Sequence, residues 1–320
     1  MGLVEVTASS PSEFLQFLHF NNPFWRYKSR KQWAFRGQGR SNWPLVPSAF
    51  RPNVVLSSGQ VGPSQNYIEQ CWQEYRIIRR FVFASDEVGL PVPGDGPLFR
   101  TPEGVDRTVG NCINGRHWPL GELHQAVALA QHHGVPTRFL DFTYNRYVAT
   151  YFAATKALDL NKKGESVDSF SIWAINMDFV WEQWPGLNRP TQDILLVVTV
   201  PYALNHFLRV QEGFFLCVDD LGNSWEALYR CYEESGKTDP WPVFLNRRYG
   251  MSGEYPCLAE YLLLKQSSVG ALEDVLVKIS IPSQFAEELL NTLDEQENIN
   301  RISMMPTYDN AAAYAIDFSH

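Results

Sequence analysis

Between residues 120 and 158 the chain builds one helix, stops it and starts another, and this arrangement limits what the rest can fold into. Leu120, Leu123, Val127 and Ala130 recur at helical spacing. Gly134 follows, with Pro136 just beyond. That pairing ends a helix, because glycine tolerates a left-handed cap and proline cannot extend the turn. The second helix, from about Asn145 to Leu158, is rich in alanine and aromatics (Val148, Ala149, Tyr151, Phe152, Ala153), which predicts burial over most of its circumference. Two strands are predicted after it, Ser169–Asn176 and Asp193–Val200, the second a continuous apolar run with the β-branched residues of a central strand.

The flanking segments add further elements. Ser10-Pro11-Ser12-Glu13 is a capping box with proline at the first helical position, and Phe14, Leu15 and Leu18 continue it as a short apolar face. Trp33-Ala34-Phe35 reads as a strand that ends at Arg36-Gly37. Ile68, Cys71, Trp72, Tyr75 and Ile78 mark an amphipathic helix over about 65–83. From 86 to 119 glycine and proline are frequent and pattern is scarce, so a lid or insertion is expected there. Strands are predicted at Gly213–Val218 and Val275–Ile281, with a terminal helix on Phe285, Leu289, Leu290 and Leu293. The acidic, aromatic segment 219–272 reads as an irregular insertion. Together these predict one α+β domain over 1–320, with a mixed central β-sheet flanked by helices.

Composition narrows the function classes. With 320 residues and 45% hydrophobic side chains the chain can bury a large core without help. No apolar run reaches about 18 residues, and Met1 to Glu5 lack the features of a secretory signal, so a cytoplasmic protein without a membrane anchor is expected. Five cysteines, odd in number and far apart, favour reduced thiols. His132 and His133 are adjacent instead of one helical turn apart, and no metal site is expected. A net charge of −8 argues against coating nucleic acid. Two local stretches, Arg26 to Trp33 and Arg76 to Phe83, alternate cations with aromatics and are candidates for touching phosphate, or else solvated faces. Trp181, Trp184, Trp225 and Trp241 hint at a contact surface around the insertion.

Three polar clusters stand beside strands: Phe35-Arg36-Gly37-Gln38, the run Gln131 to Thr143, and Asn205 to Phe215. These resemble the FRG-domain family, named for the Phe-Arg-Gly that stands here at 35–37. Pro47-Ser48-Ala49-Phe50-Arg51, Phe152-Ala153 and Lys278 to Pro282 continue the likeness over most of the chain. His133 stands where the family has an aromatic, Phe142 where it has tryptophan, and the segment from Asp219 interrupts the pattern.

The order of parts is similar to that of ADP-ribosyltransferases, which implies an ADP-ribosyltransferase-like sheet with NAD as substrate. It further implies a transferase or NAD glycohydrolase of toxin or antiphage defence type. Cleaving the nicotinamide bond needs a cation on the pyrophosphate and an acceptor that stabilises an oxocarbenium-like ribose. The resemblance assigns Arg36, Gln38, Thr137, Arg138 and Asp141 to holding the dinucleotide, with Glu212 or Gln211 stabilising the cation and His133 carrying a proton. The acceptor stays open, as does an antitoxin or other protein partner.

Plainer readings stand beside each residue. Arg138 and Asp141 pair with each other, or Asp141 or Thr143 caps the helix near Asn145. Arg36 is a buried arginine satisfied by carbonyls, and Gln211 and Glu212 are strand-edge contacts facing opposite sides. A noncatalytic module that recognises a nucleotide, a phosphate-bearing molecule or a protein is the alternative function.

Overall fold

Alternate residues of the central strands feed two different cores, and this period of two organises the molecule. The computed structural model describes residues 2–25, 31–57, 59, 61–64, 67–113, 118–182, 195–204, 206–218, 257–269 and 274–317. Its strands are β1 (Leu3–Thr7), β2 (Trp33–Gln38), β3 (Leu140–Thr143), β4 (Ser169–Asn176), β5 (Leu195–Val198), β6 (Gly213–Val218) and β7 (Leu276–Pro282). They form one seven-stranded sheet in the order β1-β7-β4-β2-β3-β6-β5. β1 and β7 are parallel and the other neighbours antiparallel, so the sheet is mixed and the fold is α+β, as the sequence predicts.

The helices are α1 (Pro11–Leu18), α2 (Tyr67–Glu87), α3 (Pro97–Arg100), α4 (Pro102–Ile113), α5 (His124–His132) and α6 (Arg146–Lys162), then α7 (Met177–Glu182), α8 (His206–Val210), α9 (Leu258–Val269), α10 (Ala286–Glu297), α11 (Arg301–Met304) and α12 (Tyr308–Asp317). None of them is long and apolar enough to cross a membrane. Ala34, Trp173, Ile175 and Leu276 pack on the side of α2, α5 and α9. Phe35, Ile172, Ala174 and Val277 pack on the other, with α1, α6 and α10.

Several elements match their sequence signals closely. Ser10 Oγ accepts from Glu13 N at 3.2 Å, although the Glu13 carboxylate closes the cap on Ser9. In α2 the stripe Cys71, Tyr75, Ile78 is buried and the helix runs on to Glu87. α5 ends at His132, with His133 as its C-cap and Gly134 at φ 85° just beyond. α6 buries eight residues, four of them alanines.

Other expectations are corrected. The chain opens with β1 and not with α1, a strand of mixed exposure that lacks a clean alternation. The stretch 86–119 is not patternless but contains α3 and α4, seated by Tyr75 Oη on Leu98 O (2.7 Å) and Arg79 Nε on Phe99 O (2.8 Å). Residues 140–143, for which the sequence predicts no strand, are β3. Within the expected irregular insertion 219–272, residues 258–269 form α9, with Leu258, Tyr261 and Leu262 buried; residues 219–256 lie outside the described residues.

β2 and β3 share a single residue pair, Phe35 with Thr143. Beyond it β2 continues beside β4 as far as Gln38, and β3 continues beside β6 as far as Leu140. The middle of the sheet therefore splits, with Arg36 on one lip and Asp141 on the other.

Candidate functional site

A strand that parts from its neighbour leaves ladder groups in need of partners. Arg36 meets that need: its Nη1 donates to Asp141 O at 2.8 Å and to Asp141 Oδ2 at 3.1 Å, spanning the split. Asp141 Oδ1 accepts from Gln131 Nε2, at the end of α5, and Gln131 Oε1 accepts from Thr137 Oγ1. Thr137 is fixed in turn, since its N donates to Ser48 Oγ (3.0 Å) and its O accepts from Ala49 N (3.0 Å). A relay of side chains thus aims Asp141 from behind while Arg36 holds it in front.

The split opens into a cavity of about 360 Å³. Its polar wall carries Arg36, Gln131, His132, Asp141, Lys156 and Gln211. Its apolar wall includes Phe35, Phe142, Val148, Phe152, Leu208 and Met305. α6 closes one side by lying almost on the backbone of β2. An added Cβ at Gly37 would stand 2.2 Å from Ala149 O.

Arg36 is largely buried, its side chain 14% exposed, whereas the Asp141 side chain is 60% exposed. Asp141 occupies the Nη1 end of the guanidinium. Nε is buried without a hydrogen-bond partner among the described residues, and no partner for Nη2 stands there either. The Nε and Nη2 edge is the fork that grips carboxylate or phosphate with two parallel bonds. A buried guanidinium nitrogen left unmatched costs about 1–3 kcal/mol, a cost that an anionic ligand would offset.

The expected site residues divide sharply. Arg36, Asp141 and Gln211 meet at the cavity. Thr137 acts through Gln131 and does not line it. Gln38 pins the turn after β2, donating from Nε2 to Pro44 O (3.1 Å) and Trp43 O (3.4 Å). Arg138 leaves the site altogether: it is buried on the far side of its loop, in a two-pronged pair with Glu74.

The anticipated Arg138–Asp141 pair is therefore replaced by Arg36–Asp141 and Arg138–Glu74. The cap of α6 is Asn145, whose side chain accepts from Tyr147 N and Val148 N. Thr143 Oγ1 instead donates to Gln211 O at 2.6 Å and accepts from Asn145 N at 2.9 Å.

Gln211 and Glu212 are not on a strand but in the turn between α8 and β6, so the alternation argument does not apply to them. Gln211 faces the cavity, with Nε2 donating to Met304 O at 3.2 Å. Glu212 has a φ of 48° and does not line it; its charge instead acts, after burial, to raise the Tyr202 phenol. His133 is exposed at the end of α5, stacked against Phe81 at 6.1 Å. Its neighbour His132 is the histidine on the cavity wall.

Burial pushes the His132 imidazole below its ordinary value, His133 adds to this, and Asp141 opposes it. The folded state thus resists protonating His132 more than the unfolded chain does. Its contribution to stability is complete above the ordinary imidazole value of about 6.5 and is lost as pH falls through the depressed folded value. In His132→Gln the urea midpoint is expected to fall less between about pH 7 and pH 5 than in the wild type. Equal slopes would remove the histidine from this role.

The remaining cation-rich and aromatic candidates do not converge here. Arg79 stacks on Phe83, and Arg80 Nη1 donates to Ser57 O at 2.8 Å. Lys31 lies over the Tyr144 ring and Trp33 is buried, while residues 26–30 lie outside the described residues. Trp181 is 46% exposed; Trp184, Trp225 and Trp241 lie outside them, as does Asn205.

Sequence reasoning missed Gln131, His132 and Lys156 as cavity residues. Lys156 had a signal, since it stands one helical turn after Phe152 on an otherwise alanine-rich helix.

No curated protein and no solved structure matches the chain. One family model does match, that of the FRG domain, over residues 109–162. The stretch contains α5, β3 and α6, and hence Gln131, His132, Asp141 and Lys156, while Arg36 and Gln211 reach the cavity from outside it. Residues 109–162 of this chain are thus similar to the FRG domain.

Proposed function

We propose that the cavity binds a phosphate-bearing nucleotide. The observation that carries this reading is Arg36 on the cavity wall with its Nε buried and unmatched among the described residues. Local charge supports it: Arg36 and Lys156 face the cavity against one carboxylate, Asp141, in a chain whose net charge is −8. A cleft of one sign with apolar walls concentrates ligands of the other. Its volume lies within the range of small-molecule sites, and the apolar wall suits a base or nicotinamide ring.

A titration of the full chain with mononucleotides and dinucleotides, NAD among them, tests this. Arg36→Lys keeps the charge but loses the fork, and is expected to weaken every ligand that binds by roughly 10–100-fold. No binding by the wild type, or equal binding by the variant, would overturn the reading.

A second reading, NAD cleavage by a transferase or glycohydrolase with an ADP-ribosyltransferase-like fold and a toxin or antiphage role, is favoured by one feature. Asp141 is held by Arg36 and Gln131 on the wall of the same cavity. In this reading Asp141, not Glu212, is the carboxylate beside the ribosyl cation, and Gln211 and His132 complete the wall. Chromatographic detection of nicotinamide release, lost in Asp141→Asn while NAD binding persists, supports cleavage. Binding without release leaves the nucleotide-binding module.

A further inference from the structure

The cavity has a cationic end and an apolar end. Val148, Phe152 and Lys156 line it from α6 at i, i+4 and i+8, so they stand in one row on the helix. At 1.5 Å of rise per residue the row spans about 12 Å, with Lys156 at one end and Val148 at the other. Met304 and Met305 pack with Val148, and Gln211 reaches both of them. Its Nε2 donates to Met304 O at 3.2 Å and lies 3.9 Å from Met305 Sδ. Gln211 is thus a polar side chain at the apolar end.

Those neighbours fix which end of the amide is which. A carbonyl oxygen and a thioether sulfur both accept and neither donates, so the nitrogen faces them. Oε1 is left over: it accepts no bond among the described residues, and it is not sealed in the core. The backbone is held as well, since Gln211 O accepts from Thr143 Oγ1 at 2.6 Å and the next residue turns at a φ of 48°. The apolar end therefore offers a ligand one fixed acceptor, while the donor of the same amide is already used.

We infer that Gln211 selects the base of the nucleotide, and that it takes a ring whose edge carries an N–H donor, such as the amino group of adenine. An edge with only C–H or an acceptor leaves Oε1 unmatched, and the amide cannot turn over to offer its nitrogen without breaking its bond to Met304 O. This rests on the nucleotide reading above and adds what is read on the ring and by which atom.

The test is calorimetric titration of the full chain with adenosine monophosphate and with purine riboside monophosphate, in which hydrogen replaces the amino group. A mononucleotide has one ring, so the ratio of the two affinities reports the base alone. The amino-bearing nucleotide is expected to bind about three- to tenfold more tightly. Gln211→Met keeps the length of the side chain without the acceptor, and is expected to bring the two within about twofold. Gln211→Glu keeps an acceptor but not the donor to Met304 O, so the preference is expected to survive while the melting temperature falls. Arg36→Lys, acting on the phosphate, is expected to weaken both nucleotides and leave their ratio.

Equal affinity of the wild type for the two nucleotides would overturn the inference and leave the nucleotide site. So would a preference that survives in Gln211→Met, which assigns the amino group to another acceptor, or one lost in Gln211→Glu as well, which makes Gln211 a strut. Binding of neither nucleotide would overturn both readings.

Discussion

Replacing Glu74 by alanine is expected to lower stability by about 3–5 kcal/mol, because it removes the carboxylate that the buried Arg138 guanidinium grips with two bonds. The side chains of Arg138 and Glu74 are 1% and 4% exposed. Arg138 Nε donates to Glu74 Oε2 at 2.8 Å and Nη2 to Oε1 at 2.9 Å. Each carboxylate oxygen accepts a second bond, Oε2 from Trp118 Nε1 at 3.0 Å and Oε1 from Gln70 Nε2 at 2.9 Å. Arg138 Nη1 donates to Trp118 O at 3.2 Å, and its guanidinium lies over the Phe50 ring at 5.5 Å.

One ion pair thus joins α2, residue 118, the 48–50 turn and the loop before β3. The expected loss is a large part of the stability of a typical domain. Replacing both partners by apolar residues, as in Glu74→Leu with Arg138→Met, is expected to lose much less, since no charge is then left without a partner. Urea unfolding of the two single variants and the double variant decides the matter. A loss below about 1 kcal/mol in Glu74→Ala would show that the loop does not depend on this pair.

The sequence contained a signal for that pair, although it lay far from the motif. Glu74 falls between Cys71, Tyr75 and Ile78 on the apolar stripe of α2. A carboxylate on a buried stripe requires a buried cation or hydrogen bonds. The Thr-Arg-x-x-Asp-x-Thr run does contain that cation, but two arginines and two carboxylates admit two pairings, and spacing does not choose between them. Tertiary geometry does: Arg138 points to α2 while Asp141, on an exposed position of β3, meets Arg36 across the split.

β7 and α2 were legible from clean apolar periods, β4 and β6 from apolar runs, α5 from its glycine stop and α6 from its alanine-rich run. β1 and β3 were not, being short with mixed exposure, and β3 follows a turn rich in glycine and proline. α8 and the turn at 211–212 were misread because a polar run ahead of a strand looks like its extension. The positive φ of Glu212 bends the chain there, and that geometry turns Gln211, and not the carboxylate, toward the cavity. His132 and His133 show the same limit, since helix phase at a frayed end decides which of two neighbours faces inward.

Gly37→Ala is expected to remove about 3 kcal/mol of stability and to weaken ligand binding together with it. The added methyl would stand 2.2 Å from Ala149 O and 2.8 Å from Ala153 N, both backbone atoms of α6, so no side-chain rotation relieves it. The helix would have to retreat by about an ångström to restore van der Waals contact. Ala149, Ala153, Ala154 and Ala157 are all buried, which leaves α6 little room to move as a unit. Gly37 and Ala149 line the cavity, and Arg36 precedes Gly37 on the same strand, so any retreat changes the wall where the ligand sits.

Gly134 provides the contrast. Its φ of 85° makes an alanine there strained, yet nothing lies within 4 Å of the added Cβ. Gly134→Ala is therefore expected to lose about 1 kcal/mol with ligand affinity unchanged. Thermal melts and nucleotide titrations of the two variants separate a glycine kept for backbone conformation from one kept for close approach. If Gly37→Ala binds as tightly as the wild type after losing stability, the cavity does not depend on how closely α6 approaches β2. Parallel loss of both places the third residue of Phe-Arg-Gly in the construction of the site, with glycine supplying the clearance that lets a helix close the split in the sheet beside Arg36.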